Sequence, residues 1–212
     1  MPQRPIYLLS PTPREGTISL PLIRFSIIAN SIDFSKSDTL LFTSKQAVVT
    51  ANNIDQNWIK YPCIAIGPAT KKQIESLGGK VIYTPKDFYG ESLNRDIAHF
   101  FSDKKLLYLR PEEISFDSKG FLEKEGITLE EQIIYKTSCI AYEQEQYPVK
   151  NAIIIFTSPS TIYCFLKNFP WDESYTAVVI GKATKVHLPQ NVHFVVADEP
   201  SIHACIKKAQ TI

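Results

Sequence analysis

No charge of one sign dominates this chain of 212 residues. Its 23 lysines and arginines stand against 22 aspartates and glutamates, which argues against nucleic acid as the main partner, because phosphate binding shows as a basic excess. Charge blocks and low-complexity tracts are missing. So is any long apolar run: Met1-Pro2-Gln3-Arg4-Pro5 leads into a short apolar stretch closed by Pro11, too little for a signal peptide or a membrane span. A cytoplasmic location without membrane attachment is therefore expected. Cys63, Cys139, Cys164 and Cys205 form no C-x-x-C pair, and each is expected to be a small buried apolar residue in a reducing compartment. His99, His187, His193 and His203 lack ligand spacing, so no metal is expected. G-x-G-x-x-G, H-E-x-x-H and G-x-S-x-G do not occur. Gly181-Lys182-Ala183-Thr184 imitates the end of a phosphate-binding loop, but Thr176 occupies the place of the required first glycine.

What the chain does contain is the composition of an ordinary globular protein, 44% apolar and 21% charged, arranged as a repeat. Leu41-Phe42-Thr43-Ser44 matches Ile155-Phe156-Thr157-Ser158 at an offset of 114 positions. Ile66-Gly67-Pro68-Ala69-Thr70-Lys71 matches Ile180-Gly181-Lys182-Ala183-Thr184-Lys185 at the same offset, and Val81 and Val195 keep it in the strand that follows. A looser echo relates Tyr7-Leu8 and Phe25-Ile28 to Tyr108-Leu109 and Gln132-Tyr135. Three elements in one register mark a duplicated unit.

Ten short β-rich runs recur, among them Thr39-Thr43, Cys63-Ile66, Leu106-Arg110 and Ala152-Thr157, and most, being continuous in apolar residues, read as buried parallel strands. Helical stretches alternate with them: Lys45-Asn53, Thr70-Leu77 ending at Gly78-Gly79, Ser92-Phe101 and Ser160-Asn168. The pattern predicts an α/β fold of doubly wound parallel sheets, in which ligands bind beyond the carboxyl ends of the strands. Both repeated motifs fall there. A Thr-Ser pair entering a helix offers two hydroxyls and free backbone N–H groups, an anion site. In the Gly-x-x-Thr turns, Gly67 and Gly181 admit the backbone to a ligand, while Thr70 and Thr184 either cap the next helix or reach the ligand. The alternative for every one of these hydroxyls is a plain helix cap. Tyr135, at the end of a strand, reads by itself as core or rim packing.

In order and spacing, Phe42-Thr43-Ser44-Lys45-Gln46-Ala47-Val48, Ala65-Ile66-Gly67-Pro68-Ala69-Thr70, Tyr135-Lys136-Thr137, Phe156-Thr157-Ser158-Pro159-Ser160, Val179-Ile180-Gly181-Lys182-Ala183-Thr184 and Ala197-Asp198-Glu199-Pro200-Ser201-Ile202 resemble the uroporphyrinogen-III synthase family. The resemblance implies two doubly wound parallel-sheet lobes joined by a two-strand linker, with the active-site cleft between them. One lobe is expected over residues 1–31 and 145–212, the other over 35–140. It also implies a cyclising hydro-lyase of heme biosynthesis that works without a cofactor. Its substrate would be hydroxymethylbilane, an open-chain tetrapyrrole with acetate and propionate groups. Loss of the bilane's hydroxyl gives an azafulvene, attack at the substituted carbon of the last pyrrole gives a spiro intermediate, and reclosure inverts that ring. Tyr135 is then the residue placed to assist departure of the hydroxyl. Thr43, Ser44, Gly67, Thr70, Ser158, Ser160, Gly181, Lys182 and Thr184 bind substrate, and Lys45, Lys71, Arg110, Lys182 and Lys185 either supply positive charge or face solvent. A monomer is expected, with at most transient contact with the bilane-producing enzyme. The chain departs from the family at Leu9-Ser10-Pro11-Thr12-Pro13-Arg14-Glu15-Gly16, where the family has a strand ending in Arg and then a full helix. Here the prolines leave room for at most a short helix, and Arg14 is the candidate replacement. The rival class is a non-catalytic two-lobe binder of a small molecule or tetrapyrrole.

Overall fold

Residues apolar on both faces of a strand need a helix on each side of their sheet, and the runs above obtain one. A computed structural model describes residues 4–212. Its elements are β1 Ile6–Leu8, β2 Ile18–Ser19, β3 Ile23–Ile27, β4 Thr39–Phe42, α1 Lys45–Ile54, β5 Pro62–Ala65, α2 Pro68–Ser76, β6 Lys80–Tyr83, α3 Gly90–Phe100, β7 Leu106–Pro111, α4 Ser118–Lys124, β8 Leu129–Cys139, β9 Ile153–Phe156, α5 Pro159–Asn168, β10 Thr176–Val179, α6 Lys182–Lys185, β11 Phe194–Val196 and α7 Ile202–Ala209. The fold is the α/β one expected.

The chain divides into two compact units, Met1–Arg24 with Thr137–Ile212 (the first) and Phe25–Lys136 (the second). Compared with the expected 1–31, 145–212 and 35–140, the crossings fall earlier and inside β3 and β8. These two strands run antiparallel to each other: Ile28 N–H donates to the Ile134 carbonyl and Ile140 N–H to that of Leu22.

In the second unit the strand order is β3-β8-β7-β4-β5-β6. The chain leaves β4 toward β5 and β6, then returns to β7 and β8 on the other side, so the topological switch point lies at the carboxyl ends of β4 and β7. Leu40 and Phe42 point to one face of the sheet, covered by Ala47, Val48 and Ala51 of α1 and by Trp58. Leu41 points to the other, covered by Leu93 and Ile97 of α3 and Leu122 of α4. The glycine stop of α2 is present, Gly78 taking φ +89. In the first unit the order is β11-β10-β9-β1-β2, all parallel, with the switch point at the ends of β9 and β1. Phe156 faces Phe165 of α5, and Ile155 faces Cys205 and Ile206 of α7.

Residues 9–17 form no helix, within the limit of a short one at most, and α4, too short to show a periodicity, emerges unannounced. The cysteines divide: Cys63 and Cys205 are buried and free, whereas Cys139 at the end of β8 and Cys164 on α5 form a disulfide with a Cα–Cα distance of 5.3 Å. Their sequence separation of 25 is no motif; the pairing arises because the end of β8 lies against the core-facing side of α5.

Candidate functional site

Both Thr-Ser pairs follow the central strand beside a switch point, Thr43-Ser44 after β4 and Thr157-Ser158 after β9. Each serine is a true N-cap. Ser44 Oγ accepts from Ala47 N–H at 3.0 Å. Ser158 Oγ accepts from Thr161 N–H at 3.3 Å while Thr161 Oγ1 accepts from Ser158 N–H at 3.3 Å, a reciprocal capping box. Ser160 sits half-buried in the first turn of α5.

The Gly-x-x-Thr turns differ. The residues at the N-cap positions of α2 and α6 are Gly67 and Gly181, and neither helix has a side-chain cap. The cap reading of Thr70 and Thr184 is thereby corrected: each stands three residues further on and is only 4% exposed. First-turn N–H groups without a side-chain acceptor are open to an anion. Backbone at both glycines is extended, which any residue adopts; what glycine leaves is space. At Gly67 a Cβ would stand 3.4 Å from Phe88, whose own φ is +61, while at Gly181 nothing lies within 4 Å.

In the second unit two tyrosines reach the Thr-Ser pair. Thr43 Oγ1 lies 2.6 Å from Tyr108 Oη, and Ser44 Oγ 2.9 Å from Tyr135 Oη. Tyr135 is both packing and polar contact: its ring is buried edge-on to Phe25 at 5.8 Å, with the hydroxyl meeting Ser44. Burial raises the Tyr135 phenol above its ordinary pKa, and the Ser44 hydrogen bond opposes this. Burial likewise pushes Tyr108 up to about 12. Both phenols therefore keep their protons at neutral pH.

The expected cations are unevenly placed. Arg110 Nε lies 3.2 Å from Glu131 Oε1, an ion pair without the alignment of a hydrogen bond, and Arg110 Nη1 donates to the carbonyls of Pro111 and Glu112. It is spent on its own surroundings. Lys71 pairs with Glu75, Lys185 covers the Phe194 ring, and Lys45 and Lys182 are exposed. Arg14 is exposed and bonds the Pro13 carbonyl. A concavity lined by Arg4, Lys150, Asn151, Thr176 and His193 lies at the amino ends of the first unit's strands, the end opposite the repeated turns. Among the described residues no group of His, Cys, Asp and Glu could hold a metal, and no helix is long and apolar enough to cross a membrane.

The sequence profile of the family described as uroporphyrinogen-III synthase HemD matches residues 16–207. The chain belongs to that family. Its function is accordingly the uroporphyrinogen-III synthase reaction of tetrapyrrole biosynthesis. The crystal structure of uroporphyrinogen-III synthetase from Helicobacter pylori is 26% identical, with a TM-score of 0.81, over 98% of this chain and 99% of that one. A mutant uroporphyrinogen III synthase from the extremely thermophilic bacterium Thermus thermophilus shares the fold at 12% identity and a TM-score of 0.62, covering 98% and 99%. No curated protein sequence matches the chain.

The member of this hydroxyl cluster that the sequence did not single out is Tyr108. Its only signal was the weak echo of Tyr7-Leu8 in Tyr108-Leu109. Sheet register gives it a position the echo did not: Tyr108 pairs across from Leu41, so its side chain belongs with the strand end where Thr43 begins the turn.

Proposed function

We propose that the chain converts hydroxymethylbilane to uroporphyrinogen III with inversion of the last pyrrole ring through a spiro intermediate, releasing water. The observation that carries the residue-level reading is the hydroxyl cluster at the switch point of the second unit, where Tyr135 meets Ser44 and Tyr108 meets Thr43. In this reading Tyr135 assists departure of the bilane hydroxyl as a hydrogen-bond donor. A phenol with a raised pKa is a weak acid, so its assistance is modest. Most of the work is to hold a flexible substrate in a productive fold. Thr43, Thr70, Ser158, Ser160 and Thr184 donate hydroxyl hydrogen bonds to acetate and propionate groups, Gly67 and Gly181 open first-turn N–H groups to them, and Lys182 adds charge. Each hydrogen bond to a carboxylate is worth about 1.5–3 kcal/mol net.

The reaction needs no cofactor in this scheme, because the pyrrole nitrogens of the bilane drive loss of water and the attack that follows. We further propose a cytoplasmic monomer that takes its unstable substrate from the bilane-producing enzyme by transient contact. The Cys139–Cys164 disulfide runs against a reducing compartment, so the redox state of these thiols in cells tests that location.

Supplying purified protein with hydroxymethylbilane and resolving the oxidised products by chromatography tests the activity. Type III isomer formed above the spontaneous rate is expected. Type I isomer alone, at that rate, would leave the rival binding role.

A further inference from the structure

We infer that Ser44 is a positioning residue for Tyr135 and not a carboxylate ligand: its hydroxyl donates to Tyr135 Oη, directs the phenol proton outward and stabilises the phenolate left when that proton is given up. The inference rests on the reading of Tyr135 as the group that assists loss of the hydroxyl.

A serine hydroxyl has one proton and two lone pairs. One lone pair of Ser44 Oγ is occupied by Ala47 N–H at 3.0 Å. The remaining strong contact is Tyr135 Oη at 2.9 Å, which either oxygen could donate. Donation by Tyr135 would spend its only proton inside the protein, leaving none for the substrate. Donation by Ser44 leaves that proton free, and two features favour this direction. Accepting an N–H polarises the serine O–H, and the first turn of the ten-residue α1 adds the positive end of its dipole. The ring of Tyr135 is 4% exposed and held edge-on by Phe25, so Oη itself is fixed and only the direction of its proton is adjustable. A serine committed in this way has no second proton for a substrate carboxylate.

The C–O bond of the hydroxymethyl group breaks with its electron pair on oxygen, and the Tyr135 proton passes to that oxygen to form water. The pyrrole N–H proton released as the azafulvene forms restores the phenol. Ser44 keeps its own proton throughout, so it is not itself a catalytic residue.

Steady-state kinetics on hydroxymethylbilane for Ser44→Ala, Ser44→Gly, Ser44→Thr, Tyr135→Phe and Ser44→Ala/Tyr135→Phe test this, with thermal melts to verify folding. Glycine is tolerated at an N-cap far better than alanine, so Ser44→Gly removes the hydroxyl while keeping the start of α1. Ser44→Ala and Ser44→Gly are expected to lower kcat about tenfold with KM within twofold, Ser44→Thr to restore most of kcat, and Ser44→Ala to cost nothing further once Tyr135 is Phe. A raised KM with kcat retained would overturn the inference and return Ser44 to the carboxylate ligands. Equal kcat losses in both backgrounds would also overturn it. An unchanged kcat for Tyr135→Phe alone would remove the acid reading first; slow Tyr135→Phe with fast Ser44→Gly would remove only the role of Ser44.

Discussion

Thr43-Ser44 and Thr157-Ser158 follow equivalent central strands at an offset of 114 positions and cap equivalent helices, yet their hydroxyls meet different neighbours. The neighbouring strands make the difference. Leu41 has Tyr108 across from it on β7, whereas Ile155, its counterpart, has Leu8 on β1. The eleven-residue β8 carries Tyr135, while β2 in the first unit is only Ile18–Ser19. Ser158 is thus a cap whose proton remains available to a ligand, and Ser44 is a cap whose proton is claimed by a phenol. Duplication preserved the turn in both units; the chemistry depends on residues outside the repeated motif.

The largest contrast to break is covalent. The disulfide lies in the first unit alone, and for its separation of 25 residues opening it costs about 3 kcal/mol. Reduction, or Cys139→Ser with Cys164→Ser, should lower the denaturation midpoint reported by Trp171 in the first unit more than that reported by Trp58 in the second. Single-tryptophan variants read the two separately, and equal shifts would mean that the units unfold as one.

Next in size is Tyr135→Phe. It should slow turnover on the order of 10- to 100-fold, at or below the lower end of general-acid effects, with product binding unchanged. Thr70→Ala and Thr184→Ala should each raise KM about tenfold, the scale of one hydrogen bond to a charged group. The Thr70 variant should suffer more, because α2 has nine residues and α6 four, so α2 offers the fuller first-turn dipole. Equal stability losses without any KM change would make both threonines structural.

Thr161→Val opens the capping box of α5 and should cost about 1 kcal/mol of stability, seen at Trp171, with kinetics unaltered. The smallest effect near neutrality is the pH dependence of the buried thiols, one in each unit. Burial pushes Cys63 and Cys205 from 9.0 up to about 12. Their folded pKa values are raised, so their contribution is fully present below pH 9 and is lost as pH rises from 9 toward 12. Denaturation across that range should show the loss at both tryptophans, and Cys63→Ala should reduce it in the second unit alone, leaving there the part that the buried phenol of Tyr108 carries.

Much of this molecule was legible in its sequence because continuous apolar strands and Gly or Ser punctuation are local signals. All ten expected strands form, and the two repeated turns lie where the parallel-sheet rule put them. The missed features are tertiary. Tyr108 approaches Thr43 across sixty-five positions, Cys139 approaches Cys164 through packing, and Arg110 is consumed by Glu131 on the adjacent strand. Even Thr70 and Thr184 are told from caps only by where the helix begins, because a glycine N-cap and a threonine N-cap differ by a shift of three residues.

Truncating the two matched serines side by side tests the difference between the units most directly. On hydroxymethylbilane, Ser44→Ala should lower kcat with little change in KM, and Ser158→Ala should raise KM with kcat retained. The same kinetic signature from both would contradict the assignment of chemistry to one turn and binding to the other.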